Sequence, residues 1–152
     1  MRFGAKTHYA LLALADVSHH GENEPAQLSQ IAERQNLPLP YLEQIFNRLK
    51  NKALVTSTRG QKGGYILAVP AHMLTIDMIF EAIEEPLQIT RCSSTPETKG
   101  CQGASTRCAV HHLWQNLEDH ISDYLGKKTL ADLCDSPTPA QGQLRLCEEV
   151  SL

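Results

Sequence analysis

The residues best suited to chemistry form one cluster of three cysteines and two histidines within the 24 residues from Arg91 to Trp114. Eight residues separate Cys92 from Cys101, and six separate Cys101 from Cys108. Structural zinc sites prefer closely spaced pairs such as Cys-x2-Cys, and this run contains none. Wide spacings that include glycine suit a larger object, such as an iron-sulfur cluster held by thiolates and sometimes by an imidazole. The spacing therefore favours a cluster, and it leaves zinc binding and thiol–disulfide sensing open.

A histidine could complete this set of ligands. His111 follows Cys108 at i+3 near the start of a predicted long helix, so both side chains can face one ligand. His112 at i+4 satisfies that geometry equally well, and spacing alone does not choose between the two histidines. The other two cysteines have different expected roles, Cys134 as a small packed hydrophobe and Cys147 as part of a tail.

A second group of side chains has the types that read DNA. A helix predicted over residues 40–51 carries Tyr41, Gln44 and Arg48 at i, i+3 and i+7, so the three share one face. Glutamine can bond adenine bidentately, and arginine can reach a phosphate or a guanine. Glu43 is an acid on the same helix, which could accept a bond from cytosine N4 or exclude wrong sites.

A basic, glycine-rich segment, RGQKGG from Arg59 to Gly64, joins two predicted strands at residues 54–58 and 65–69. This pattern predicts a hairpin wing. Arg59 suits a narrow minor groove, because the enhanced negative potential there attracts arginine. The glycines let the loop approach the DNA backbone closely. The predicted DNA contacts are Lys6, Tyr41, Glu43, Gln44, Arg48, Arg59, Gly60 and Lys62.

Helical periodicity predicts the elements that must position these residues. The predicted helices include residues 5–20, 28–35 and 40–51, followed by a fourth helix capped by Thr75. A long helix at residues 106–125 and a last short helix from Thr129 come after it. Two short helices followed by a basic hairpin predict a mostly α winged helix-turn-helix domain with a small β wing. The long helix carries an apolar seam of Val110, Trp114, Leu117, Ile121 and Tyr124. Such a seam usually packs against another helix, which predicts a long C-terminal dimerisation helix.

Composition and charge limit the classes of function. A chain of 152 residues with 41% hydrophobic and 20% charged residues is globular and about one domain long. The net charge is −3, but residues 1–68 carry eight basic and five acidic residues, net +3, which leaves −6 for the rest. This asymmetry predicts one half that faces a polyanion. Without a membrane-spanning segment, a nucleophile–base pair or a phosphate loop, the sequence predicts a cytoplasmic protein that is neither membrane-bound nor an enzyme.

The predicted organisation has four parts. Residues 1–84 form the winged helix-turn-helix region, residues 85–108 the cysteine-bearing cluster-binding loop, residues 106–134 the dimerisation helix and short terminal helix, and residues 135–152 a poorly ordered tail. Two rival functions fit the same sequence. One is a winged-helix regulator without a cluster whose cysteines sense oxidants by forming disulfides, and the other is a small carrier of metal clusters.

Several motifs together resemble the IscR family, the winged-helix regulators of iron-sulfur cluster assembly genes. The resemblance rests on QIAERQNLPLPYLEQIFNRLKNKALVTSTRGQKGGY, followed by TRC, GCQG, RCAVHHLW and TLADL, and covers about residues 1–134. It implies a homodimeric transcription factor that binds promoter DNA and receives a 2Fe-2S cluster from cluster donor proteins. The loaded form would repress the cluster-assembly operon, and both forms would act as repressor or activator at a second class of site.

The resemblance also implies roles for individual residues. The cluster ligands would be Cys92, Cys101, Cys108 and His111. The long helix would form the dimer interface, and Glu43 matches an acidic position that disfavours one class of site until the cluster is bound. Two features depart from the family. The segment SSTPETK lengthens the spacing between the first two cysteines, and His112 stands where a small residue is expected and could compete as a ligand.

Overall fold

The structure, a computed structural model, describes residues 4–20, 24–60, 62–85 and 108–135. Its elements are α1 (Ala5–His19), α2 (Leu28–Gln35), α3 (Leu39–Asn51), β1 (Val55–Thr58), β2 (Gly64–Leu67), α4 (Ile76–Ala82), α5 (His111–Gly126) and α6 (Leu130–Cys134). This order confirms the predicted mostly α fold with a small β wing. Cys92, Cys101, most of the predicted cluster-binding loop and the tail after residue 135 lie outside the described residues.

The first three helices enclose the core of the DNA-binding half. Apolar residues at helical spacing predict Leu28, Ile31 and Ala32 as the inward face of α2, and all three are buried. The same spacing predicts Leu42, Ile45, Phe46 and Leu49 as the inward face of α3, and these residues are also buried. Both helices are amphipathic at a period of 3.6 residues, so burying these faces leaves the opposite faces for solvent or a ligand.

Asp16 of α1 is buried in this half and joins α1 to α2. Arg34 donates to both carboxylate oxygens, from Nη2 to Oδ1 at 2.6 Å and from Nε to Oδ2 at 3.1 Å. The buried side chain of Gln35 donates to Oδ2 at 3.0 Å, and Nδ1 of His20 lies 3.4 Å from Oδ1. A carboxylate can leave water only where such partners replace it. The four side chains therefore fix how α2 sits on α1.

Three helices of the DNA-binding half end in a residue with left-handed backbone. Asn36 after α2, Ala53 after α3 and Glu84 after α4 have φ of 51°, 57° and 57°. After α3, the N–H groups of Ala53 and Leu54 each bond back to a carbonyl of the last turn at 2.9 Å, which is the Schellman pattern. Asparagine tolerates this conformation, whereas alanine and glutamate adopt it at an energetic cost.

Replacing Ala53 by glycine is expected to stabilise the protein by about 0.5 to 1 kcal/mol, because glycine adopts positive φ without that cost. Urea unfolding followed by circular dichroism measures the change. The matched control is Ala68→Gly, at an exposed position outside the three with positive φ. It should lose a few tenths of a kcal/mol through added backbone entropy in the unfolded chain. A loss of stability in Ala53→Gly would contradict the prediction.

The wing is an antiparallel hairpin of β1 and β2, with Thr58 opposite Gly64. The predicted hairpin is thus confirmed, with bounds that differ by one or two residues. Tyr65 anchors the wing to the helices, because its N–H and carbonyl exchange two bonds of 2.9 Å with Ala26. Its ring also meets the edge of Phe46, with 5.0 Å between centroids. The wing is therefore held in a fixed position beside α3.

The C-terminal helices connect back to the DNA-binding half through backbone bonds. The N–H of Ile76 bonds to the carbonyl of Lys128 at 2.9 Å, and the N–H of Leu130 bonds to the carbonyl of Leu74 at 2.8 Å. Thr75 caps α4 as predicted, with its hydroxyl accepting from a backbone N–H of the first turn. The predicted last short helix is confirmed as α6.

The long helix begins later than predicted within the described residues. Instead of starting at Thr106, it starts at His111, and residues 108–110 precede it as a turn. In this turn the N–H of His111 bonds to the carbonyl of Cys108 at 3.0 Å. The apolar seam starts only at Val110, so its periodicity carried no signal for a helix before that residue.

The seam of α5 faces outward in the single chain. Val110, Leu117 and Tyr124 are 51%, 41% and 60% exposed, while Trp114 and Ile121 are half-buried. An apolar stripe of this kind is unusual on a lone helix. Among the described residues, no helix is long and apolar enough to cross a bilayer.

Candidate functional site

The outward face of α3 presents polar side chains. Glu43 and Gln44 are exposed in the first half of the helix, opposite its buried face. Pro40 lies at the first turn, where its missing N–H costs nothing. The helix can therefore approach a groove with its N-terminal half, where the Glu43 carboxylate and the Gln44 amide can form hydrogen bonds with base edges.

Tyr41 is only half-buried, and another aromatic residue positions it. The edge of the Tyr9 ring meets the Tyr41 ring with 5.6 Å between centroids and 86° between planes. Tilted aromatic pairs of this type are favourable beyond the area that they bury. This contact between Tyr9 of α1 and α3, the proposed recognition helix, was not predicted from the sequence.

Arg48 and Lys6 are the two helical cations predicted to contact DNA, and both have acidic partners in the structure. Arg48 donates from Nη1 to the carbonyl of Ile83 at 2.9 Å and to Oε2 of Glu84 at 2.7 Å. Nζ of Lys6 lies 3.7 Å from Oε1 of Glu85. Sequence reasoning missed both pairings, since neither Glu84 nor Glu85 belongs to a motif.

The wing tip carries the remaining predicted contacts. Arg59, Gly60 and Lys62 are all exposed. Gly60 has φ of 119°, a conformation that favours glycine, and its carbonyl accepts from the N–H of Gly63 at 2.9 Å. An exposed hydrogen bond of 2.7 Å, from Nζ of Lys50 in α3 to Oγ of Ser57 in β1, links the helix to the wing. The tip is therefore a tight basic turn beside the recognition helix.

Two of the four predicted cluster ligands lie in the described residues. Cys108 and His111 belong to the same turn, with Cys108 half-buried and His111 only 4% exposed. His112 is exposed, and its ring lies across that of His111 at 5.6 Å between centroids. Within the parts of the chain that the structure describes, no group of three or more His, Cys, Asp or Glu could hold a metal ion.

The donor set fits an iron-sulfur cluster in its chemistry. Thiolates are the usual protein ligands of such clusters, and imidazole replaces thiolate at some iron atoms. His111 is buried and His112 is exposed, so the two adjacent histidines, which spacing does not distinguish, differ in their surroundings. The turn around Cys108 could therefore supply one sulfur and one nitrogen ligand.

Cys134 has the packed position that was predicted for it. Its side chain is half-buried on α6 and packs against the core. Burial raises the pKa of the Cys134 thiol, against a smaller opposite effect of a hydrogen bond with Ser18. The thiol is therefore protonated at neutral pH, which makes it a poor metal ligand.

Known proteins resemble this chain along most of its length. A model of the Rrf2 family, described as iron-dependent transcriptional regulators, matches residues 3–136. The HTH-type transcriptional regulator IscR of Pectobacterium carotovorum is 41% identical over 136 residues, which cover 90% of this chain and 80% of that protein. The IscR of Yersinia pseudotuberculosis is 40% identical over the same shares of both chains.

Solved structures share the fold. The structure of T. potens IscR has a TM-score of 0.72 at 32% identity and covers 93% of this chain and 94% of its own. CymR, the global cysteine regulator of B. subtilis, has a TM-score of 0.74 at 28% identity and covers 91% of this chain and 99% of its own. These neighbours confirm the predicted fold class and the resemblance to IscR.

The names of the relatives also indicate the general class of function. They are named as transcriptional regulators, which confirms the prediction that the chain is not an enzyme. The described surface of α3 and the wing has the side chains that such a regulator needs for DNA. The chain belongs to the Rrf2 family of iron-dependent transcriptional regulators.

Proposed function

We propose that this transcriptional regulator senses iron-sulfur cluster status through a 2Fe-2S cluster and controls cluster-assembly genes. The ligands would be Cys92, Cys101, Cys108 and His111. The observation that carries the proposal is the turn before α5, in which the backbone N–H of the buried His111 bonds to the carbonyl of Cys108, a cysteine of the predicted set. When bound, the cluster would supply a redox-sensitive, reversible link between the ligand loop and the rest of the chain.

The protein's own residues would set the strength of this link. His111 must be neutral to act as a ligand, so acid should favour release of the cluster. Two other candidate ligands are less suitable, because Cys134 packs against the core and His112 is exposed. Three thiolates and one imidazole carry less negative charge than four thiolates, which suits a site that must release its cluster easily.

Promoter DNA would bind across α3 and the wing. The proposed contacts are Lys6, Tyr41, Glu43, Gln44, Arg59, Gly60 and Lys62, whereas Arg48, the other residue predicted to contact DNA, is bonded to Ile83 and Glu84. Gln44 would read a base edge, and Glu43 would penalise sites that place a phosphate near it. Arg59 and Lys62 extend from the wing tip, where they can reach the phosphate backbone or the minor groove.

A second copy of the chain would cover the seam of α5. The seam continues into an apolar cavity of about 380 Å³ between α1, α4, α5 and α6. The cavity is lined by Thr7, His8, Leu11, Ile76, Phe80, Tyr124, Leu125, Lys128, Asp132 and Leu133. A dimer would present two recognition helices, which suits an operator with two half-sites. The proposal puts this dimer in the cytoplasm, with cluster donor proteins as further partners.

The second candidate is a winged-helix regulator whose cysteines form disulfides without a cluster. The observation in its favour is the similarity to S. aureus CymR in a structure named as the oxidized form, with a TM-score of 0.71 at 29% identity. Such a protein would be colourless when isolated without air, and its count of reactive thiols would change with oxidant.

Purification without oxygen tests the proposal. The wild-type protein should be brown and hold about two iron and two acid-labile sulfide per chain. Cys108→Ala should lose nearly all visible absorption, because it removes a thiolate ligand. The matched control is Cys134→Ala, which removes a packed thiol and should keep the wild-type spectrum. A colourless wild type that stays free of iron after reconstitution would contradict cluster sensing and favour the disulfide sensor.

A further inference from the structure

Arg48 of the recognition helix is tied to the end of α4. Its Nη1 donates both to the carbonyl of Ile83 and to the carboxylate of Glu84, at 2.9 Å and 2.7 Å. Ile83 is the C-cap of α4, and a carbonyl at a helix end has no partner inside the helix. The guanidinium therefore satisfies a helix-end carbonyl and pairs with the acid that follows it.

Glu84 occupies a backbone position at which glycine is usual. Its N–H bonds to the carbonyl of Glu81 at 3.1 Å, and the N–H of Glu85 bonds to the carbonyl of Phe80 at 3.2 Å, which completes a Schellman motif around φ of 57°. A residue with a side chain is held there in spite of backbone strain. An observed strain of this kind suggests a role for the side chain, and the role available in the structure is the bond to Arg48.

The next residue makes the same kind of connection to α1. Oε1 of Glu85 lies 3.7 Å from Nζ of Lys6, and Oε2 accepts a hydrogen bond from the hydroxyl of Thr7. Two consecutive acids thus hold α3 and α1, the two helices of the DNA-binding half that carry predicted cationic contacts. In the sequence, Cys92 follows Glu85 by only seven positions.

We propose that Arg48 is a positioning residue, which fastens the recognition helix to the end of α4, and that Glu84 and Glu85 form a junction. Through this junction the state of the cysteine-bearing segment changes the placement of α3 and α1 on DNA. The regulatory part of this inference rests on the proposed cluster-sensing function. Glu84 is 70% exposed and Arg48 38% exposed, so their pair is weak enough to be rearranged.

A direct contact between Arg48 and a phosphate is the alternative, and the salt dependence of binding separates the two roles. Each cation that neutralises a phosphate of duplex DNA contributes about 0.9 to the slope of log affinity against log salt. A positioning residue contributes nothing to that slope. The two roles also predict opposite effects of Glu84→Gln, since removing a competitor for Arg48 would strengthen DNA binding and removing its anchor would weaken it.

The first experiment measures the affinity of cluster-free protein for a promoter duplex chosen by wild-type binding, over a range of salt concentrations. We expect Arg48→Met and Glu84→Gln each to weaken binding about two- to tenfold with an unchanged salt slope. The double variant should be no weaker than the weaker single variant, because both changes break one connection. The control Glu81→Gln, an exposed acid of the same helix whose carboxylate lies 3.8 Å from Lys52, should bind within about twofold of wild type.

The junction would be overturned if Arg48→Met lowered the salt slope by about 0.9 and Glu84→Gln strengthened binding. Hydrogen exchange of the α3 amides provides a readout that does not depend on DNA. Both single variants should exchange faster in α3 than the Glu81→Gln control while keeping the wild-type unfolding midpoint. Wild-type exchange in both variants would also overturn the assignment.

The second experiment compares the affinities of loaded and cluster-free protein on a panel of promoter duplexes and uses a duplex at which the two wild-type forms differ. In the Glu84→Gln/Glu85→Gln variant, the ratio of these affinities should fall towards one, while the visible spectrum and iron content stay at wild-type values. A wild-type ratio of one on every duplex would defeat the cluster-sensing function itself. A wild type that responds, beside a variant that responds equally, would defeat the junction alone.

Discussion

The Asp16→Asn variant should lose about 2 to 4 kcal/mol of unfolding free energy, one of the two largest effects that we expect. Asp16 is buried, and its carboxylate accepts three hydrogen bonds from Arg34 and Gln35. Removing one member of a buried charge pair typically costs about 3 to 5 kcal/mol. The expected loss is smaller because the Arg34 side chain is 40% exposed and can regain water.

Stability against pH provides an independent measure of the same group. Burial raises the pKa of Asp16, but the hydrogen bonds from Arg34 and Gln35 and the charges of Arg34 and His20 outweigh it and hold the pKa below its ordinary value of 3.8. A lowered folded-state pKa stabilises the fold above the unfolded-state pKa, and this stabilisation is lost as the pH falls through the folded-state pKa. The wild type should therefore lose more stability than Asp16→Asn below about pH 4.

Urea unfolding between neutral and acidic pH measures both effects. The matched control is Asp123→Asn, the same chemical change at an exposed position of α5, which should stay within about 0.5 kcal/mol of wild type. If Asp16→Asn were as stable as the control at neutral pH, the hydrogen bonds of Asp16 with Arg34 and Gln35 would not be what fixes α2 on α1. Parallel loss of stability in acid for wild type and variant would contradict the sign given for the pKa.

The second large effect is expected for Gly64→Ala in the wing. A Cβ at Gly64 would lie 2.5 Å from the carbonyl oxygen and 2.7 Å from the carbonyl carbon of Ala26. Both atoms belong to the backbone, so the clash cannot be relieved by turning a side chain. The strand must move away, which breaks the paired bonds between Tyr65 and Ala26. We expect a loss of about 1 to 3 kcal/mol.

Gly64→Ala should also weaken binding to DNA, because the displaced strand carries the basic wing tip. Urea unfolding and duplex affinity, measured on the same samples, test the two consequences together. Gly126→Ala is the matched control, since no atom lies within 4 Å of a Cβ at the end of α5. It should be neutral or slightly stabilising, because alanine is the better helix former. Equal behaviour of the two variants would show that the approach of Gly64 to Ala26 is not required.

Local pattern was enough to predict the elements of the DNA-binding half. The inward faces of α2 and α3 follow from apolar residues at helical spacing, and the hairpin follows from a glycine-rich segment between two strand-like runs. Thr75 was recognisable as an N-cap because a hydroxyl before a helix commonly bonds the first free N–H groups. The outward positions of Gln44 and Arg59 follow from the same periodicities.

The connections between these elements could not be predicted in the same way. Asp16 and Arg34, or Arg48 and Glu84, are far apart in sequence, and no local spacing indicates that their side chains meet. The start of α5 was predicted too early, because periodicity marks the seam and carries no information about the turn at Cys108. His111 and His112 also differ in burial, which spacing could not predict for two adjacent residues of the same type.

The most direct test of the account compares one protein preparation, loaded and then stripped of its cluster without oxygen, on a panel of promoter duplexes. At one or more duplexes the two forms should differ in Kd by about fivefold or more, since two sites are coupled only if the ligand at one changes affinity at the other. Equal Kd values for loaded and stripped protein on every duplex would contradict it and leave a DNA-binding regulator with another signal.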